Sequence, residues 1–560
     1  MHRLGRRLLA SLALVAAPAF AQTSLRPEPV PALAPGRPAG PPKLLVVISV
    51  DQFSADLFNE YRPTFSAGMA RLAHGVVFPK GFQSHAATET CPGHSTILTG
   101  NRPGHTGIIA NNWIDQSVTR SDKVVYCSED PTVPSTTSSD YAPSVHYLRV
   151  PTLGGRMKVA NPAAKVISVA GKDRAAIMMG GPALDQIWWW GGKAFTSYRG
   201  VPTTPLVDRV NAGISQLFNA ERAAMDLPAN CAPKDYAVPV SPTKSVGNGH
   251  FARKAGDARA FRASPEFDAA ILALAQSLIE GQKLGLGSAT DLISIGLSAT
   301  DYVGHGFGTE GAEMCIQMAN LDASLGSFFD GLDAIGIDYM VTLTADHGGH
   351  DLPERNRENA AVDAERADPA LAPKAVNALL ASQTGLSGDD LLLADGASGD
   401  MWVNKRLTPA QKAKLLTAAT AFYKSQRQVA AVFTHAEIAA APEPSGPPEN
   451  WSLLQEAKAS FDPQRSGDLL VLLKPRVTPI INPDGTNSVA THGSPWDYDR
   501  RVPMLFWRKG LIPFDQPLGV ETVDIMPTLA AQIGLALPST GYDGKCLDLI
   551  AGPQTSCPTK

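Results

Sequence analysis

Leu44-Leu45-Val46-Val47-Ile48-Ser49-Val50-Asp51 is a run of strand-forming residues that stops on a carboxylate. It is continuously apolar rather than alternating, the pattern of a strand covered on both faces. Comparable runs follow at 166–170, 292–297, 340–344, 469–473 and 503–507. Helical patterns lie between them. The clearest is 265–283, with Ser264 suited to the N-cap, Pro265 to the first helical position and Glu266 to the helix dipole. Strand–helix alternation predicts an α/β fold with a doubly wound, mostly parallel sheet flanked by helices. Ligands of such sheets gather outside the carboxyl ends of the strands.

Polar residues with metal-binding side chains recur at that rim. Asp51 follows the first strand, Asp301 and His305 the strand at 292–297, and Asp346 and His347 the strand at 340–344, while His492 lies late in the chain. Asp301 and His305 share one face of a helical turn, so both can reach one ion. Asp346 and His347 are adjacent, with His350 and Asp351 as nearby competitors. His492 sits among small residues in Ala490-Thr491-His492-Gly493-Ser494. A lone histidine after a strand reads more simply as a hydrogen-bonded structural residue, and a lone aspartate as a turn residue. Recurrence at one rim makes the set specific. Three carboxylates and three imidazoles suit two zinc-like ions, and two metals beside a hydroxyl suit phosphoryl transfer.

The hydroxyl is in Thr90-Cys91-Pro92-Gly93-His94. Pro92 and Gly93 predict a turn into a short helix over 94–98, capped by Gly100. Thr90 then lies at a helix N-terminus, where free N–H groups favour an alkoxide and an incoming phosphate. A bare N-cap is the alternative role. Asn111 offers an amide donor. Lys172 and Arg174, two apart in a segment read as extended, direct two cations to one place and suit a dianion. Trp188-Trp189-Trp190 reads as packing rather than as a pocket wall.

The chain has 560 residues, room for one large α/β domain with insertions. A net charge of −4 and the lack of a long basic run argue against a nucleic-acid partner. Arg3, Arg6 and Arg7, an apolar stretch at 8–17 and Ala19-Phe20-Ala21 predict a cleaved signal peptide at 1–21. Its removal takes three arginines and no acids, moving the charge from −4 to −7. A Pro/Ala-rich linker spans 22–42, the core 43–350 and 466–560, and an inserted cap segment 351–465. The product is expected in the periplasm or secreted, with no membrane partner after cleavage. Export makes the six cysteines expected disulfides. Short loops favour Cys91–Cys127 and Cys546–Cys557, leaving Cys231–Cys315.

In order, Val50-Asp51, Thr90-Cys91-Pro92-Gly93-His94, Asp301-x-x-x-His305, Asp346-His347-Gly348 and Thr491-His492-Gly493 resemble the alkaline phosphatase superfamily. They are most similar to its nucleotide pyrophosphatase/phosphodiesterase branch and to exported bacterial alkaline phosphatases with a threonine nucleophile. The resemblance implies two Zn2+ ions, one held by Asp301, His305 and His492, the other by Asp51, Asp346 and His347 with Thr90. It implies a phosphothreonine intermediate, with Asn111, Lys172 and Arg174 on the phosphate oxygens and small phosphate monoesters as substrates. An additional structural Ca2+ stays open. Sulfatases carry Cys or Ser where Thr90 stands and Arg where His94 stands, and phosphoglycerate mutases use serine in the cytosol; neither pattern fits. A phosphodiesterase with the same metals and a non-catalytic zinc-binding protein remain as alternatives.

Overall fold

Each residue of the opening strand, from Leu44 to Val50, is fully buried. In the computed structural model, which describes residues 40–134, 136–359, 361–486 and 488–558, it is the middle of a ten-stranded sheet. The export segment 1–21 and residues 22–39 of the linker lie outside the described residues. The principal strands are β1 Leu44–Val50, β2 Val76–Phe82, β3 Val166–Ala170, β4 Gln186–Trp190, β5 Asp291–Leu297, β6 Tyr339–Thr344 and β7 Arg501–Arg508. Across the sheet they run β2-β7-β6-β1-β5-β3-β4. β1 is parallel to β5 and β6, β5 to β3 and β3 to β4, whereas β7 is antiparallel to its neighbours β6 and β2.

The helices that bear on the site are α1 Thr90–Thr99, α2 Asp173–Gly180, α3 Ala258–Arg262, α4 Pro265–Gln282, α5 Ala299–Phe307 and α6 Ala312–Ile335. They explain the unbroken hydrophobicity of β1. Leu44, Val46, Ile48 and Val50 face a core with Phe267 and Ile271 of α4 and Leu321 and Phe329 of α6. Leu45 and Val47 face the opposite layer, with Ile97 and Leu98 of α1 and Met526. Each such side chain contributes about 1.5–3 kcal/mol on burial, and both faces are filled.

Local signals act as expected in some places and not in others. Pro265 opens α4, but Ser264 Oγ donates to Phe261 O at 2.8 Å and does not cap the helix through its side chain. α1 begins at Thr90, a turn earlier than the 94–98 expectation, and ends at Gly100 with φ +70°. The tryptophans pack: Trp188 and Trp190 face one core and Trp189 the other. The cysteines pair as Cys91–Cys127, Cys231–Cys315 and Cys546–Cys557.

The run Leu469–Leu473, read from sequence as part of the returning core, lies elsewhere. It pairs antiparallel with Gly399–Val403 and Val429–Thr434 in a second, four-stranded sheet. Its apolarity has the same cause as that of β1. Leu469, Val471 and Leu473 face one cluster and Leu470 and Leu472 another, so both sides are covered.

Candidate functional site

Strand order decides which acids meet. β1 lies between β5 and β6, and Ser49 is in register with both Gly296 and Thr344. Asp51 therefore leaves the sheet beside the start of α5, which carries Asp301, and beside Asp346. All three carboxylates are buried.

Two donor sets result. Asp301, His305 and His492 bring one ligand atom each within 4.8 Å of one another, and so do Asp51, Asp346 and His347. In the first set, His305 Nε2 and His492 Nε2 lie 3.2 and 3.4 Å from Asp301 Oδ1. In the second, His347 Nε2 lies 3.4 Å from Asp51 Oδ1 and 3.3 Å from Asp346 Oδ2. The sets adjoin, for the rings of His347 and His492 stack at 3.6 Å.

Backbone carbonyls orient the imidazoles. Nδ1 of His305, His492 and His347 meets the carbonyl of Ala490, Thr88 and Gly348 at 2.9, 2.8 and 2.8 Å. Each Nε2 is thus left for the centre, an arrangement typical of metal-binding histidines. Asp51 Oδ1, Asp301 Oδ1 and His347 Nε2 are buried and make no hydrogen bond. Burial first, then the neighbouring carboxylates of Asp301 and Asp346, push the Asp51 carboxyl well above its usual range. Burial also pulls His347 down to about 3, favouring the neutral ring that a metal requires. Orphaned donor atoms, mixed nitrogen and oxygen chemistry and three clustered carboxylates all fit a pair of divalent cations.

Glu89 is the N-cap of α1 and Thr90 its first residue, so the Thr90 hydroxyl is not a cap. Instead Thr90 Oγ1 accepts from Lys172 Nζ and from Arg174 Nη2, each at 3.5 Å. The segment carrying these cations is not extended as expected. Lys172 is the N-cap of α2 and Arg174 is in its first turn. The cap-to-helix turn, rather than a strand pleat, brings both to Thr90. Lys172 Nζ also lies 2.7 Å from Asp51 Oδ2 and 2.5 Å from Asp301 Oδ2. Asn111 Oδ1 accepts the Cys91 N–H at 2.8 Å, which directs its Nδ2 donors elsewhere.

Several supporting residues escaped the sequence reading. His94 Nδ1 lies 3.0 Å from Asp346 Oδ2 and 2.9 Å from Thr90 O, bridging the Thr90 turn and a donor-set carboxylate. Its four-residue spacing from Thr90 on a helix was a usable signal. Glu89 accepts the Asn111 N–H at 2.6 Å, and nothing in the sequence marked it. Tyr126 accepts from Arg174 at 3.3 Å and donates to Asp173 at 2.9 Å; Tyr141 donates to the same carboxylate at 2.7 Å. The competitors are engaged elsewhere. His350 Nε2 meets Thr478 Oγ1 at 3.0 Å, and Asp351 pairs with Arg355 at 2.6 Å.

Known proteins resemble this chain over most of its length. The sequence profile of the type I phosphodiesterase / nucleotide pyrophosphatase family matches residues 45–495, from β1 through the His492 loop. The chain belongs to this family. Within the alkaline phosphatase superfamily, it is 60% identical over 521 residues to alkaline phosphatase PhoK of Sphingomonas sp., covering 93% of each chain. It is 51% identical to alkaline phosphatase PhoD of Zymomonas mobilis, over 92% of this chain and 90% of that one. The crystal structure of alkaline phosphatase PafA superposes with a TM-score of 0.78 over 92% of this chain and 100% of the other, at 24% identity, and shares the fold. This member of the type I phosphodiesterase / nucleotide pyrophosphatase family is an enzyme, a hydrolase of the alkaline phosphatase class.

Proposed function

We propose that this alkaline phosphatase hydrolyses phosphate monoesters by a two-step displacement with Thr90 as nucleophile. The observation that carries the reading is the position of Thr90 Oγ1, 3.5 Å from both Lys172 Nζ and Arg174 Nη2, with Lys172 also reaching Asp51 of one donor set and Asp301 of the other. Asp301, His305 and His492 would hold one Zn2+, and Asp51, Asp346 and His347 the other beside Thr90. When bound, such a pair supplies Lewis acidity at the attacking and leaving oxygens and lowers the pKa of a hydroxyl or water.

The protein's own groups account for the rest. Thr90 Oγ attacks phosphorus in line with the ester oxygen. The new bond is Oγ–P and the broken one is P–O of the ester; the alcohol leaves with a proton. Water then attacks the phosphothreonine, releasing inorganic phosphate and restoring the hydroxyl. Lys172, Arg174 and the Asn111 amide bind the non-bridging oxygens. Two cations suit a monoester dianion better than a diester monoanion.

The family profile carries the diesterase name, so the second reading is a phosphodiesterase at the same site. Comparison of kcat/KM for 4-nitrophenyl phosphate and its methyl diester separates the two. Preference for the monoester, with near-complete loss in Thr90→Ala, is expected. Preference for the diester would reverse the substrate assignment, and full activity of Thr90→Ala would refute the covalent mechanism.

Export to the periplasm or medium is supported by the predicted signal segment and by the pairing of all six cysteines. No helix among the described residues is long and apolar enough to cross a membrane.

A further inference from the structure

Arg262, the last residue of α3, is half-buried and has no carboxylate partner among the described residues. Its Nε donates to Ala258 O at 3.3 Å and its Nη1 to Tyr302 Oη at 3.4 Å. The guanidinium centre lies 4.9 Å from the centroid of the Tyr302 ring. Two buried arginines, by contrast, are matched by carboxylates: Arg253 with Glu266 and Arg355 with Asp351, at 2.8 and 2.6 Å. A guanidinium drawn out of water with only neutral acceptors keeps a demand for an anion.

Its position gives that demand a use. Tyr302 directly follows the ligand Asp301 in α5 and is partly exposed. Lys172 Nζ lies 5.1 Å from the centroid of the same ring. Lys172 is also one of the two cations on Thr90, so the ring links the phosphate position to Arg262. The platform is firmly seated. Tyr302 packs against Phe267 at 6.1 Å, and Phe261, beside Arg262, is fully buried against Trp190 at 5.5 Å.

We propose that Arg262 and Tyr302 form an outer subsite for a second anionic group on the alcohol portion of the substrate. The class it favours is the small phosphorylated acid or bisphosphate, whose carboxylate or second phosphate pairs with the guanidinium while the Tyr302 hydroxyl donates to it. The inference rests on the reading of Thr90 and Lys172 as the phosphate position.

The test compares kcat/KM for 3-phosphoglycerate and glycerol 3-phosphate, which share a three-carbon skeleton and differ in a carboxylate against a hydroxymethyl group. Arg262→Ala is expected to lower the ratio of the first to the second about tenfold, mainly through KM. Arg262→Lys should recover much of it, and added salt should shrink the wild-type preference. Arg262→Gln, which keeps the reach to Ala258 O, gives the same readout should the alanine variant fold poorly. An unchanged ratio, including an equal fall for both substrates, overturns the subsite while the phosphomonoesterase reading stands. Failure of the wild-type enzyme to hydrolyse either substrate overturns that reading and the subsite with it.

Discussion

The ammonium of Lys172 lies 2.5 Å from Asp301 Oδ2, although Asp301 belongs to one of the two donor sets and Lys172 faces Thr90. Lys172 thus touches both a carboxylate of a donor set and Thr90, the proposed nucleophile. Burial opposes its charge, but Asp301 and Asp51 together hold its pKa above the usual lysine value.

Lys172→Ala is therefore expected to reduce kcat/KM for an aryl phosphate monoester by about a hundredfold, as for loss of a charged transition-state contact. The methyl diester, with one negative charge fewer, should lose roughly tenfold or less. Parallel losses for both esters would show that Lys172 serves the ligands and not the phosphate charge.

Removal of metal should leave three buried carboxylates with too few cations. Treatment with a chelator is expected to abolish hydrolysis and to lower Tm, because Asp51, Asp301 and Asp346 then repel one another within one buried centre. Restored zinc should return both. Calorimetry with and without chelator checks the stability half independently of turnover; an unchanged Tm would mean the sites are empty in the resting protein.

Gly93 permits the close approach of α1 to the end of β6. A Cβ there would overlap the carbonyl of Asp346. Gly93→Ala should displace either Thr90 or the ligand strand, at about 1–3 kcal/mol of overpacking, and cost at least roughly tenfold in activity. Denaturant unfolding and kcat measured on the same sample read the two effects. Wild-type values in both would mean the contact relaxes freely.

The disulfide Cys91–Cys127 joins the residue after Thr90 to the residue after Tyr126, which meets Arg174. The double variant Cys91→Ala/Cys127→Ala should lose about 2–4 kcal/mol of stability. It should also raise KM for monoesters, since Tyr126 no longer holds Arg174 firmly, with zinc content unchanged. A fall in stability with KM untouched would confine the bridge to a structural role.

Glu456 supplies the pH prediction. Burial pushes its carboxyl up to about 8, even though Arg500 at 2.7 Å pulls the other way. In the unfolded chain it titrates near 4.3 or so. Between about pH 4.3 and 8 the folded state holds a proton that the unfolded state has lost, so stability falls as pH rises through that window and levels off above it. Glu456→Gln keeps an acceptor for Arg500 and should flatten this decline, raising Tm relative to wild type at pH 8 and above. Thermal melts from pH 5 to 9 decide it; parallel curves for the two proteins would discount Glu456 as the source.

Much of the central sheet was legible because its strands are covered on both faces, which leaves unbroken apolar runs such as Leu44–Val50. The same cause misplaced Leu469–Leu473: a strand sandwiched in the inserted sheet looks like one sandwiched in the main sheet, and pairing partners leave no mark in hydropathy. At the site, Asp51, Asp301, His305, Asp346, His347 and His492 were legible as chemistry after strand ends. Their division into two sets followed from family resemblance, and the geometry groups the same residues.

By itself the sequence determined the residue types at the rim, the turn at Thr90 and the strands that end there, since local periodicity and motif order are written along the chain. The tertiary structure decided that β1 lies between β5 and β6, and hence that Asp51 stands between the other two acids. It decided that Lys172 and Arg174 reach Thr90 from a helix cap rather than a strand, and that Lys172 and Arg262 both lie by the Tyr302 ring. The contacts on Thr90 cross more than eighty residues of chain and that of Arg262 with Tyr302 crosses 40; they are set by sheet order and helix packing, which no local pattern encodes.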